Sequence, residues 1–284
     1  MNRFRRVAAP ALAILFVGLA ARCPRAADTP AAVAERELLE ELRSAPRENE
    51  ARERQLRSLY EQAGARPEDI RLQAVPLGDD PGPVLHNVIV TKPGATDAVI
   101  VVGGHLDKVP PGDGVIDDWS GACLATNLFQ ALRPLRTRHT FVFIGFAHEE
   151  RGLRGSRAYV ASLSPEERAH IAAMINLECL GVDDPFLWTN GSTDRLEALA
   201  HRVADEDKLP LRDHVIEGVG ADSIPFDRAG IPTLTFDGLP AERFDLIHSE
   251  RDTYANILPE CYINAYRLVV RFLLALDREV ADRE

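Results

Sequence analysis

Apolar residues between Ala31 and Ala63 recur at spacings of three and four (Leu38, Leu39 and Leu42, then Leu56, Leu59 and Tyr60), which predicts helix divided at Pro46 and closed near Gly64. The charged remainder of this stretch reads as a solvated face. The pattern then shifts to short β-branched runs, "RLQAVPL", "HNVIVTK" and "DAVIVVGGH", separated by proline and glycine turns, which predict three strands. "SGACLATNLFQALRPL" reads as a helix with Ser120 near its start. "HTFVFIGFAHEE" is almost wholly apolar until it ends in acid, as a central buried strand does. "SPEERAHIAAMINLECLG" joins a helix with a Ser164/Glu167 capping box to a further strand. A helix ("STDRLEALAHRVADED"), a strand ("GIPTLTFDG") and a long closing helix ("NILPECYINAYRLVVRFLLALDREV") complete the chain. Strands alternating with helices predict an α/β fold over residues 31–284, a single domain whose mostly parallel, mixed central sheet carries helices on both faces.

Composition narrows the function. A chain of 284 residues, 45% hydrophobic and 27% charged, can bury one sizeable core. The formal charge of −11 comes without any lysine or arginine stripe, which argues against a nucleic-acid partner. At the N-terminus, Arg3, Arg5 and Arg6 precede an apolar run from Val7 to Ala21 that is short for a membrane span but suits the core of an export signal, with Gly18 and Ala20 at small-residue positions. Residues 1–22 are therefore read as an export signal, an uncleaved anchor being the alternative. That segment is the sole expected membrane contact, and the expected location is periplasmic or extracellular. Cys23, Cys123, Cys179 and Cys261 show no CxxC spacing, so they suggest neither a zinc knuckle nor a redox pair. Cys123 and Cys179 read as small buried hydrophobes, and any disulfide pairing stays open.

The acids fall in a telling place. "GGHLDKVPPGDGVIDDWSG" packs one histidine and four aspartates into a loop after a buried strand, with Lys108 as the one basic residue among them. Open α/β sheets place their chemistry beyond the carboxyl ends of their strands. Here "AVIVVGG" ends at His105 and Asp107, "FVFIGFAH" at Glu149 and Glu150, and "AAMINLE" at Glu178. Asp117 and Asp118 follow where the next helix begins, and His248 lies on a late loop. Imidazole and carboxylate donors in this number suit divalent zinc, and cations would neutralise acids that otherwise raise one another's pKa. Each element alone is weak, since a His-x-Asp pair is often a loop hydrogen bond and a lone histidine is usually a surface residue. Their joint occurrence at one edge of the sheet is the signal.

In order, His105-Leu-Asp107, "GVIDDWSG", "EERGLRGS", "INLECLG", "ADSIPFDRAGIP" and "IHSERDT" resemble the motifs of the di-zinc aminopeptidases, a family with which glutaminyl cyclase shares its fold. The resemblance runs from about Asn87 into the last helix and implies a hydrolase that trims peptides. It implies two zinc ions, with one as the alternative, held by His105, Asp117, Glu150, Glu178 and His248, with Asp117 bridging. It implies Glu149 as general base, Asp107 as the group orienting His105, Asp118 as structural, and Asp252 as the acidic partner of His248. Trp119, Asp222 and Phe226 are pocket candidates, with core packing as the competing reading for Trp119 and Phe226. Three departures stand out: Glu178 occupies a position where the family usually has aspartate, Ser223 one where many relatives have histidine, and Trp119 one where the residue is usually small. A mono-zinc cyclase and an inactive binding module are the alternatives to the peptidase. The oligomeric state is open.

Overall fold

The computed structural model describes residues 30–78 and 82–279; the segment read as an export signal, with Cys23, lies outside them. Eight strands form one sheet: β1 (Ile70–Val75), β2 (Leu85–Lys92), β3 (Val99–His105), β4 (Thr140–Phe146), β5 (Ile171–Glu178), β6 (Phe186–Trp188), β7 (Arg212–His214) and β8 (Thr233–Asp237). Their spatial order is β1-β2-β4-β3-β5-β8-β6-β7. The centre, β4-β3-β5-β8, is parallel, and β1, β2 and β6 pair antiparallel at its flanks. This is the expected mixed sheet.

The alternation of side chains along the central strands sorts them between two apolar layers. Ile100, Val102, Ala173 and Ile175 point into the larger core, while Val101, Ile144 and Met174 point into a smaller one on the opposite face. The larger layer is covered by α1 (Glu35–Arg43), α2 (Asn49–Gln62), α3 (Ser120–Leu132), α6 (Asp194–Asp207) and α8 (Pro259–Glu279), the smaller by α4 (Arg154–Ser162) and α7 (Ser223–Arg228). A short α5 (Pro165–His170) leads into β5, and Ser164 caps it as its sequence predicts: the Ser164 hydroxyl accepts from the Glu167 N–H at 3.1 Å, and the Glu167 carboxylate accepts from the Ser164 N–H at 2.7 Å. Pro46 separates α1 from α2, and Gly64, at φ +93°, follows the end of α2. Cys123 and Cys179 are buried free thiols, and Cys261 is free and half-buried.

Sequence reasoning passed over the short strands β6 and β7 and the helices α4 and α7. Three-residue strands carry too few positions to display a period, and α4 and α7 follow acidic or glycine-rich loops that mask their starts.

Candidate metal centre

The parallel strands β3, β5 and β8 all point their carboxyl ends at one edge, so a side chain that closes any of them is delivered to the same crevice. His105 closes β3, Glu178 closes β5 and Asp237 closes β8. Glu149 and Glu150 follow β4 on a tight turn entered through His148 at φ +57°. Asp117 and Asp118 occupy an irregular turn, Val115–Trp119, immediately before α3, joined by a cis peptide. His248, at φ +53°, comes from the loop between β8 and α8.

These side chains form two triads that share one member. Asp117 Oδ1 lies 2.9 Å from His105 Nε2, and its Oδ2 lies 3.0 Å from His248 Nε2. His105 Nε2 also faces Glu178 Oε1 at 3.6 Å, and His248 Nε2 faces Glu150 Oε2 at 3.0 Å. His105, Asp117 and Glu178 can each offer one ligand atom to a common centre, and so can Asp117, Glu150 and His248. All five expected ligands therefore converge, with Asp117 between the two triads. The longer Glu178 reaches the first centre while its Oε2 accepts from the Asn176 amide at 2.9 Å. Zinc fits this donor set. Each triad offers one imidazole nitrogen and carboxylate oxygens, and the buried Oε1 of Glu150 has no hydrogen-bond partner in the chain.

Burial and crowding set the charges. Burial pushes Glu149 up to about 10, with Asp222, Glu178 and Asp117 adding to the rise and His105 opposing it. Burial likewise lifts Glu150 to about 7. For Asp117 the same penalty is outweighed by hydrogen bonds from His105 and His248, which hold its carboxyl well below the usual range. Burial works against the His105 proton, yet hydrogen bonds to Asp117 and Glu178 keep that imidazole well above its ordinary value. His248 rises to about 9, chiefly through Asp117. Acids this crowded and buried oppose one another's charge, which divalent ions at the two triads would relieve.

The surrounding contacts assign the remaining expected residues. Asp118 is bound to backbone, as a structural role requires: its Oδ1 accepts from the N–H groups of Gly121 and Cys179, both at 3.0 Å, and its Oδ2 from the His105 N–H at 3.1 Å. Two expected residues make further contacts. His105 Nδ1 meets the main-chain carbonyl of Asp107 at 3.1 Å and lies 3.9 Å from its carboxylate, which also accepts from the Glu149 N–H at 3.0 Å. Asp252 accepts from the N–H groups of Ile116 (2.7 Å) and Asp117 (3.4 Å) on the turn before α3, and its charge also acts on His248 without a hydrogen bond between them.

A cavity of about 350 Å³ opens over the triads, with Asp237 in its lining beside the ligands and an apolar wall of Leu153, Trp188, Ile216, Leu239, Phe244 and Ile247. The three pocket candidates are absent from its lining. Trp119 is wholly buried, its ring under the Arg52 guanidinium and its indole N–H donating to Glu41 O at 3.1 Å. Phe226 packs in the smaller core against Phe146 and Tyr159. Asp222 is wholly buried beside that core, and burial raises its carboxyl to about 7. Trp119 directly follows the Asp117–Asp118 pair, while Asp222 and Phe226 sit at and just within the start of α7, and the turn at Val115–Trp119 and the start of α7 leave all three side chains buried. Ser223 is buried and hydrogen-bonded with Thr235 at 3.1 Å. Asp237 is the residue that sequence reasoning missed. It ends "GIPTLTFD" just as Glu178 ends "AAMINLE", and the two are register partners, so the rule that found Glu178 applies to it equally.

The sequence model of peptidase family M28 matches residues 87–273. Leupeptin-inactivating enzyme 1 of Streptomyces exfoliatus is 32% identical over 151 residues, covering 52% of this chain and 34% of that protein. The chain thus spans about a third of that curated relative's length. Among solved structures, the aminopeptidase from Aneurinibacillus sp. strain AM-1 matches with a TM-score of 0.61 at 28% identity, over 71% of this chain and 50% of that one. A glutaminyl cyclase from an Acidobacteriales bacterium shares the fold, with a TM-score of 0.75 at 18% identity, over 91% and 99% of the two chains.

Proposed function

This chain belongs to peptidase family M28, and from that premise we propose that it is an exported zinc exopeptidase that removes residues from the amino ends of peptides. The observation that carries the reading is the shared carboxylate, with the two oxygens of Asp117 set against two different histidines at 2.9 and 3.0 Å. His105, Asp117 and Glu178 would hold one zinc, and Asp117, Glu150 and His248 the other. Zinc, when bound, supplies a water of lowered pKa and polarises the scissile carbonyl. Glu149, next to Glu150 but outside both triads, would accept a proton from an attacking water and return it to the departing amine. Asp107 fixes the backbone of that base. The apolar wall of the cavity favours a bulky aliphatic or aromatic side chain on the residue released. Export rests on the arginines and apolar run of residues 1–22. Among the described residues no helix is long and apolar enough to cross a membrane.

The test pairs metal counting with substrate choice. Purified protein should bind two zinc ions, cleave leucyl-nitroanilide and free-amine peptides, lose activity on chelation, and leave N-acetylated peptides intact. Cleavage of acetylated peptides would overturn the aminopeptidase assignment. A single zinc with cyclisation of amino-terminal glutamine would support a cyclase instead.

A further inference from the structure

Arg52 lies on α2, upstream of the stretch that the family model matches, and is wholly buried. Its guanidinium donates to main-chain carbonyls: Nε to Leu106 O at 2.5 Å, Nη1 to Asp113 O at 2.9 Å and Pro46 O at 3.4 Å, and Nη2 to Gly114 O at 2.8 Å. Less than one turn earlier on the helix, the Asn49 amide donates to Lys108 O at 3.1 Å and accepts from the Lys108 N–H at 3.0 Å. Leu106 follows the ligand His105, and Gly114 precedes the turn that carries Asp117. Both ends of the connecting loop are thus fastened to one helix. The approach is close: a Cβ on Gly114, at φ +63°, would sit 3.0 Å from Arg52 Nη1.

We propose that Arg52 is a positioning residue for the metal centre, setting the separation between His105 and Asp117 through its bonds to the loop that joins them. A planar fork suits the task, because it satisfies carbonyls on several sides at once, and the single ammonium of lysine does not. The indole of Trp119, with its centroid 5.1 Å away, closes one face of the guanidinium, which explains why this tryptophan is buried away from the cavity. Four acids, Asp107, Asp117, Asp118 and Asp252, lie near enough to stabilise the buried charge. The N-terminal helices are then part of the active-site frame.

The inference rests on the zinc peptidase reading for the identity of the cation. The experiment compares Arg52→Lys and Arg52→Met with Leu59→Ala, which empties core on the same helix and removes no hydrogen bond to the loop. Fold is checked by circular dichroism, zinc affinity by chelator competition, and coordination by the visible spectrum of the cobalt-substituted protein. Both Arg52 variants should bind zinc about 10–100-fold more weakly, shift the cobalt bands, and lose kcat with KM little changed. Leu59→Ala should lower Tm while keeping the parent's affinity and spectrum. Parental affinity and spectrum in the Arg52 variants, or equal losses in Leu59→Ala, would overturn the proposal. Should neither Arg52 variant fold, Asn49→Ala carries the same readouts at the half-buried end of the clamp, and parental affinity there overturns it. A parent chain that binds zinc yet cleaves no peptide refutes the peptidase reading while leaving the affinity comparison decisive for Arg52.

Discussion

Glu149 and Glu150 are neighbours in sequence and differ in what surrounds them, which makes the pair Glu149→Gln and Glu150→Gln a sharp test of the proposed mechanism. Glu150 Oε2 sits 3.0 Å from His248 Nε2 within the second triad. Glu149 belongs to neither triad, and its nearest approach to a ligand histidine is 4.0 Å, at His105 Nε2. Glutamine at 149 therefore keeps both ligand sets and removes the proton acceptor. Proton transfer by a positioned side chain contributes about 10²–10⁴-fold, so kcat should fall by that factor, equivalent to about 3–5 kcal/mol of barrier, with KM and zinc content near parental. Glutamine at 150 replaces an anionic ligand with a neutral amide, so the second zinc should bind about 10–100-fold more weakly, and activity should recover partly at high zinc. Leucyl-nitroanilide turnover with zinc quantified by atomic absorption reads both. Glu149→Gln retaining kcat within tenfold of the parent, or shedding zinc as Glu150→Gln does, would refute the division of roles.

Three further outcomes follow from packing and charge. In Gly104→Ala the new Cβ would meet Asp118 Oδ2 at 2.5 Å and Leu177 O at 2.7 Å. It should displace the carboxylate that anchors the His105 N–H, lowering Tm and zinc affinity together; an unchanged affinity by chelator titration would contradict the role given to Asp118. Phe244→Ala, in the cavity wall, should raise KM for leucyl substrates more than for alanyl ones. Phe226→Ala should instead destabilise the fold by about 3–5 kcal/mol in urea unfolding and leave that ratio unchanged. Asp277, on α8, accepts from the N–H groups of Arg138 (3.0 Å) and His139 (2.8 Å) and pairs with His139 Nδ1 at 3.2 Å. Burial opposes its charge, but these bonds outweigh burial and lower its carboxyl below the ordinary 3.8. A depressed folded-state value stabilises the protein above the unfolded-state pKa, and the benefit is lost as pH falls through the folded one. Asp277→Asn should thus cost about 1.5–3 kcal/mol near neutrality and progressively less below pH 3.8; a cost independent of pH would argue against an ionised Asp277.

What the sequence determined by itself is the α/β order of elements and the set of acids and imidazoles at the strand ends. Both depend on local periodicity: a parallel strand buried on two faces must be apolar, so the first charged residue after it marks its carboxyl end, as at His105, Glu149 and Glu178. The family motifs then suggested roles for those residues, and the five side chains expected as ligands lie close together in two groups that share Asp117. Tertiary structure alone decided which neighbours face the cavity. Trp119 directly follows the Asp117–Asp118 pair and Phe226 lies within a family motif, yet the backbone turns carry both into the cores, and no period in the sequence records such a turn. Arg52 looks like one more charge on a solvated helix until the loop after His105 folds onto it. The division of labour among Asp107, Asp118 and Asp252 likewise depends on which backbone N–H each carboxylate reaches across 42 to 136 positions of chain. Spacing along a sequence reports which face of an element a residue occupies, whereas contact between distant segments is fixed only when both have been packed against the same sheet.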